Sequence, residues 1–449
     1  MELWTVCLLT LATITNIQAH KILVVITLPG KSHGILGDGL IRHLLKAGHE
    51  VTFITPYPPK PQKNLTVIDV SDNSKVLAGG VLNIHNMMKK DVDLQSTYML
   101  MDICTEIGKA TLMNPSVQKL LSDRSQKFDI IITEWLYQEL YAGYITPREN
   151  QYYETYMVPH IRNKSKPVPS LSELKLNASL MLGNSHVSLG SATRLPQNYI
   201  PIGGYHIEDD VKPLPQDLQM IMDSAGHGVI YFSMGSNLRS EDLPETVTRG
   251  ILKVFGGLKQ TVIWKFEKDL PNRPKNVHIV HWAPQQSILA HPKILFFISH
   301  GGLLSTTEAV HFAVPMICIP VMVDQFANVN RAVKKGFAIK VDLSFTMDKD
   351  LEIAIHEMLS NPKYTVKAKE LSFVYHHRPV PPGDEILHWV DHVVKTNGAV
   401  HLRSPALDMP WYQKLYLDLL AVVLVFITAI TFIIKRVLDL NKSKKTKTN

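Results

Sequence analysis

A continuous apolar run, Ile294 to Ser299, passes without interruption into His300-Gly301-Gly302 and from there into helical spacing that lasts from Leu303 to about Phe312. A strand that is apolar at every position is one expected to be covered on both faces. One that hands over to a helix through glycines belongs to a β-α-β unit of a parallel sheet. The chain is thereby confined to the α/β class. The glycines opening that helix let a ligand approach the backbone, and the free amides and helix dipole there favour a diphosphate. His300 can add a hydrogen bond or a positive charge. Glu308, on the same helix, can take two ribose hydroxyls as a bidentate acceptor. Upstream, Trp282 offers a flat face on which a base can stack. Downstream, beyond the apolar run Pro315 to Pro320, Asp324 and Gln325 can read the hydroxyls of a sugar.

A second glycine turn stands before this stretch: Gly228 to Ser233 is a short apolar strand that breaks into Ser233-Met234-Gly235-Ser236-Asn237, small residues suited to a ligand held against the backbone. The chain, 449 residues with 45% apolar side chains, is long enough for two cores. The other core opens with the β-rich run Lys21 to Leu28, then the helical spacing of Leu36, Leu40, Ile41, Leu44 and Leu45, then Gly48 and a strand from Val51 to Thr55. Phe128 to Thr133 reads as a further buried strand of that half. Pro-rich sequence from Pro196 to Pro215, with Gly203-Gly204 inside it, reads as the linker. In open parallel sheets ligands bind at the carboxyl ends of the strands. At the end of the first strand, the loop Pro29-Gly30-Lys31-Ser32-His33-Gly34 puts His33 at the mouth of a cleft between the halves.

The pattern at Trp282, Gln285, His300, Gly301, Gly302, Ser305, Glu308, Pro320, Asp324 and Gln325 resembles the signature of the family 1 glycosyltransferases, the UDP-glycosyltransferases. One departure is Leu304, where many relatives carry Asn; the form HGGLLSTTEA is similar to animal, especially insect, members. The resemblance implies a GT-B fold: two Rossmann-like domains facing a cleft, an acceptor domain over residues 20–200, a linker over 201–227 and a UDP-sugar domain over 228–400. It implies His33 as the general base that takes the acceptor proton, with Glu134 at the position of the family's usual Asp partner. It implies that Ser236, Trp282, Gln285, His300, Gly301, Gly302, Ser305, Glu308, Asp324 and Gln325 hold the UDP-sugar. Transfer would be inverting, onto a hydroxyl of a small lipophilic acceptor, with no metal and no cofactor, the UDP-sugar being a co-substrate. Likeness to insect members favours UDP-glucose, and UDP-glucuronate is the alternative donor. After about Gly143 several dozen residues that relatives carry are missing, and Asn177 to Leu189 resembles their next strands. The shortened first domain leaves a second reading open, a catalytically inactive UDP-binding or regulatory isoform. A homo- or hetero-oligomer with related transferases is equally open.

Both chain ends read as targeting or membrane segments. Residues 1–19 read as a cleaved secretory signal with the mature chain starting near His20, and Leu415 to Ile434 as a single membrane span flanked by Trp411-Tyr412. Most of the formal net charge of +7 sits in the tail 435–449, where Lys435, Arg436, Lys442, Lys444, Lys445 and Lys447 face only Asp439. The tail is therefore expected in the cytosol and the body in the lumen, as a single-pass type I protein, and nucleic-acid binding is disfavoured. Lys445 and Lys447 resemble a dilysine retrieval signal of the endoplasmic reticulum. Of three cysteines, Cys7 leaves with the signal, and Cys104 and Cys318 form no disulfide framework. Lumenal sequons stand at Asn64, Asn163 and Asn177, whereas Asn441 is expected on the cytosolic side.

Overall fold

A computed structural model describes residues 18–77, 84–89, 97–135, 142–161, 167–190, 193–208, 210–236, 238–407 and 409–445. Most of the expected signal segment, the sequon at Asn163, the loop residue Asn237 and Lys447 lie outside them. Strands β1 (Lys21–Val25), β2 (Glu50–Thr55), β3 (Leu65–Asp69) and β4 (Ile130–Thr133) form a parallel sheet in the order β3-β2-β1-β4. Helix α1 (Lys31–Lys46) turns Leu40, Ile41 and Leu44 onto Ile22, Val24 and Phe53 on one face. Helix α2 (Pro115–Ser122) covers the other, with Val117 against Ile54 and Ile68. Beyond it come a short parallel pair, β5 (Met181–Gly183) and β6 (Tyr199–Pro201).

The second sheet holds β7 (Val229–Ser233), β8 (Thr261–Lys265), β9 (Val277–Val280), β10 (Ile294–Ser299), β11 (Met316–Cys318) and β12 (Ala338–Lys340) in the order β12-β11-β10-β7-β8-β9, again all parallel. Period-2 alternation sends the side chains of β7 into two different cores, which is why the strand is buried at every position. On one side Phe232 stacks on Trp264 at 5.0 Å, and on the other Tyr231 stacks on Phe297 at 4.8 Å. Helices α3 (Leu303–His311) and α4 (Asp324–Lys334) follow β10 and β11. Helix α5 (Pro382–Lys395) then returns to the first half, adding Ile386 and Val390 to the core beneath β1. Helix α6 (Leu417–Lys445) contains, over residues 417–440, an apolar stretch of mean hydropathy 2.8, long enough to cross a membrane. It starts later than the expected Leu415 because Tyr416 takes a left-handed φ of 57°.

Three local readings are corrected. The segment Lys31 to Gly34 is the first turn of α1 and not a loop: Gly30 is extended, and its carbonyl accepts from both His33 N (3.0 Å) and Gly34 N (3.1 Å). Strand β4 is not buried. Among the described residues it is an edge strand paired only with β1, and Ile131 is 61% exposed. Between Asn177 and Leu189 only β5 is strand, since Ser185 N turns back onto Gly183 O at 2.7 Å and ends it.

Candidate functional site

The carboxyl ends of β1, β4, β7, β8 and β10 open on one cleft of about 2070 Å³, lined from both halves of the chain. Every residue expected at the site lines it except Gly301. That glycine forms the turn behind the lining: its φ is 78°, and a Cβ there would lie 2.2 Å from Val329 Cγ2.

On the side of the second sheet, His300 follows the last residue of β10, between two glycines. A Cβ on Gly235, whose φ is 88°, would come within 2.5 Å of His300 Cε1, and one on Gly302 within 2.6 Å of Nε2. The ring occupies the space that two missing side chains leave. Burial, and after it the Lys265 ammonium, pushes the His300 imidazole down to about 4, so near neutral pH the ring presents a hydrogen bond and no charge. The positive charge in this corner belongs to Lys265, which ends β8, donates to Gly235 O at 3.0 Å and pairs with Glu267 at 2.5 Å. Ser236 follows on the same turn, and the helix α3 begins at Leu303 with Gly302 as its N-cap, which leaves its first amides open to an anion.

Glu308 is buried on the inward face of α3. Its carboxylate accepts from Gln285 Nε2 at 2.5 Å and Gln286 Nε2 at 3.1 Å, and His206 Nε2 lies 3.5 Å from Oε1. Gln285 also donates to Ser305 Oγ at 3.0 Å and accepts from Tyr231 OH at 3.3 Å. These amide donors occupy the bonds that a ribose diol would replace one for one, so such an exchange leaves the carboxylate satisfied. Trp282 is 57% exposed, and the Lys31 ammonium, from the start of α1 across the cleft, sits 4.5 Å from its ring centroid. Asp324 begins α4 and accepts from Asn328 at 2.8 Å, while Gln325 Oε1 accepts from the amides of Val321 (2.8 Å) and Met322 (3.1 Å).

On the side of the first sheet, His33 Nδ1 and Glu134 Oε1 are 2.5 Å apart, both half-buried. The pair spans adjacent parallel strands: α1 starts after β1, and Glu134 N still donates to Val25 O at 3.0 Å beyond the end of β4. With Nδ1 on the carboxylate, Nε2 is the nitrogen left to meet a proton donor. Cys104 lies near, but burial and then the Glu134 charge push its thiol up to about 11, which keeps it protonated and unreactive. Among the described residues no three His, Cys, Asp or Glu side chains converge on a metal-ion site.

Lys31, His206 and Lys265 were not singled out by sequence. Lys265 had one local signal, a cation closing the otherwise apolar run Thr261 to Trp264. His206 had none, since only the tertiary fold brings it to Glu308.

A family model described as "UDP-glucoronosyl and UDP-glucosyl transferase" matches residues 60–449. UDP-glucosyltransferase 2 of Dactylopius coccus is 29% identical over 477 residues, spanning 92% of each chain. UDP-glucuronosyltransferase 2B1 of Rattus norvegicus is 32% identical over 269 residues, which is 60% of this chain and 50% of that protein. With several further curated relatives the match spans about half of their length. Among solved structures, TcCGT1 in complex with UDP superposes with a TM-score of 0.56 at 14% identity, covering 85% of this chain and all of that one. Arabidopsis thaliana UGT89C1 complexed with UDP-L-rhamnose gives 0.58 at 15% identity over 84% of this chain and 99% of that one. These neighbours share the GT-B fold.

Proposed function

Since the chain belongs to the UDP-glycosyltransferase family and has its two-sheet GT-B fold, we propose that it transfers a hexose, glucose before glucuronate, from a UDP-sugar to the hydroxyl of a lipophilic acceptor with inversion at the anomeric carbon. His33 Nε2 takes the acceptor proton as the oxygen bonds to C1, Glu134 stabilises the imidazolium that results, and the bond from C1 to the β-phosphate oxygen breaks with its electron pair leaving on UDP. Trp282 stacks the uracil and Gln285 with Glu308 holds the ribose. His300, Ser236, Ser305, Gly302 and the α3 amides hold the diphosphate, and Asp324 with Gln325 orients the sugar. The glucose preference rests on likeness to insect relatives.

The observation that carries this reading is the 2.5 Å pairing of His33 with Glu134 on the same cleft as the His300 and Glu308 set. It also favours transfer over a silent UDP-binding isoform, which has no need of that pair. The body is proposed to face the lumen of the endoplasmic reticulum with α6 as anchor; Asn64 and Asn177, both exposed, are reachable by the glycosylation machinery. The test is incubation of the full chain with UDP-glucose or UDP-glucuronate and a panel of alcohols and phenols, following UDP release and the anomer formed. A β-glycoside from an α-linked donor supports the proposal. UDP binding without release from either donor overturns it in favour of the binding isoform.

A further inference from the structure

Among the described residues the first sheet ends at β4, ahead of the segment where the family resemblance implies missing residues. Among the described residues strand β4 pairs only with β1, and β5 only with β6. The two unpaired edges line the same cleft, and its lining continues past them along Trp389 and Val393 of α5 as far as Leu407. Side chains that a complete sheet would cover are bare: Ile131 is 61% exposed, Leu176 54% and Met181 46%. The charged groups of this stretch are already committed, Lys175 to Glu149 and Asp129 to the amide of Lys21. What remains is a largely apolar arm, into whose wall Asn177, Asn184 and Asn198 also enter, beside His33 and Glu134. Its outer end, Leu407, lies just ahead of Trp411, 68% exposed, and the membrane-spanning α6.

A cleft of about 2070 Å³ is more than a UDP-sugar and a compact phenol fill, since pockets for drug-sized ligands run to roughly 300–1,000 Å³. An occupant must offer one hydroxyl at His33 and an apolar body thin enough to lie between two strand edges. We propose that the acceptors of this chain are long single-chain alcohols, bound with the hydroxyl at His33 and the alkyl tail along the arm between β4 and β5 toward the membrane anchor. This rests on the acceptor reading of the His33 side of the cleft. The reaction balances as for any alcohol: the tail's oxygen bonds to C1, the proton passes to His33, and UDP leaves with the bonding pair.

The experiment uses the full chain in lipid nanodiscs and a series of 1-alkanols from butanol to tetradecanol, with aqueous concentrations measured. Two readouts are taken: kcat/KM for transfer from UDP-glucose, and affinity from quenching of tryptophan fluorescence by terminally brominated alkanols. Each methylene seated in the arm is expected to raise both by about two- to fourfold, up to a chain length that fills it. Ile131→Phe and Met181→Phe, at exposed positions, are expected to shorten that limiting length while leaving UDP affinity unchanged. Values independent of chain length, or a limit that neither variant moves, overturn the inference. Transfer to phenols with no chain-length dependence removes the inference and leaves the transferase reading; chain-length-dependent binding with no UDP release removes the transferase reading and leaves the arm.

Discussion

Replacing Gly235 by Ala isolates the corner of the cleft proposed to take the diphosphate. Two effects follow from the geometry. At φ 88° an Ala costs about 1–2 kcal/mol that Gly does not. Its Cβ would also stand 2.5 Å from His300 Cε1 and 2.9 Å from Nε2, so the ring must retreat by about an ångström to reach ordinary contact. Gly302 also packs tightly against the ring, at 2.6 Å from Nε2 for a Cβ placed there, so the retreat turns the imidazole out of its seat. A hydrogen bond to a charged group is worth about 1.5–3 kcal/mol, so UDP affinity should fall by roughly tenfold to a hundredfold. Uridine, which lacks the diphosphate, should lose less than about twofold, because Trp282, Gln285 and Glu308 are untouched. Calorimetric titration of both ligands into wild type and variant decides it. Equal losses for UDP and uridine, or none for either, refute the assignment of His300 to the diphosphate.

Trp282→Ala removes the stacking face and should weaken UDP and uridine alike, by about 1–3 kcal/mol; unchanged titrations would move the base elsewhere. A diphosphate beside His300 must raise a pKa now held at about 4, so UDP binding near pH 5 should take up protons. Titrations in buffers of different ionisation enthalpy measure this, and zero uptake argues against the contact. His186, His300 and His311 stay neutral in the folded chain down to about 4, against 6.5 when unfolded, so over that window the unfolded chain binds more protons and stability falls as pH falls. Thermal midpoints at pH 7 and pH 4.5 should differ accordingly, and equal midpoints would contradict the burial of those rings. In sealed microsomes the body should resist added protease and only the tail beyond about Lys435 be cut; cleavage within the body would reverse the orientation.

The placement of the residues around His300 was legible because its signals are local. Ile294 to Ser299 is strand at both expected ends, and His300 and Glu308 are fixed relative to one another by a single turn and helix. His33 and Glu134, far apart in sequence, were paired through the family resemblance, and the parallel sheet brings the carboxyl ends of their strands together. Edges were not legible. Ile130-Ile131-Ile132 has the pattern of a doubly covered strand, and no local pattern reports that, among the described residues, no strand pairs with its outer edge. Helix α1 was read late because its glycines argue against helix. Tertiary contacts override them: a Cβ on Gly37 would meet Phe53 Cζ at 2.6 Å, and one on Gly39 would meet His206 Cα at 2.8 Å. That same close approach carries His206 in beside Glu308, a neighbour no local window contains.

The central claim is that His33, held by Glu134, removes the acceptor proton. Its most direct measurement is the turnover of His33→Ala with UDP-glucose, read beside the UDP affinity of the same variant. The account predicts a fall in kcat of about 10² to 10⁴ with UDP affinity within about twofold of wild type, because base assistance acts only in the transition state. Turnover that survives the substitution, or UDP affinity that falls with it in equal measure, contradicts the account.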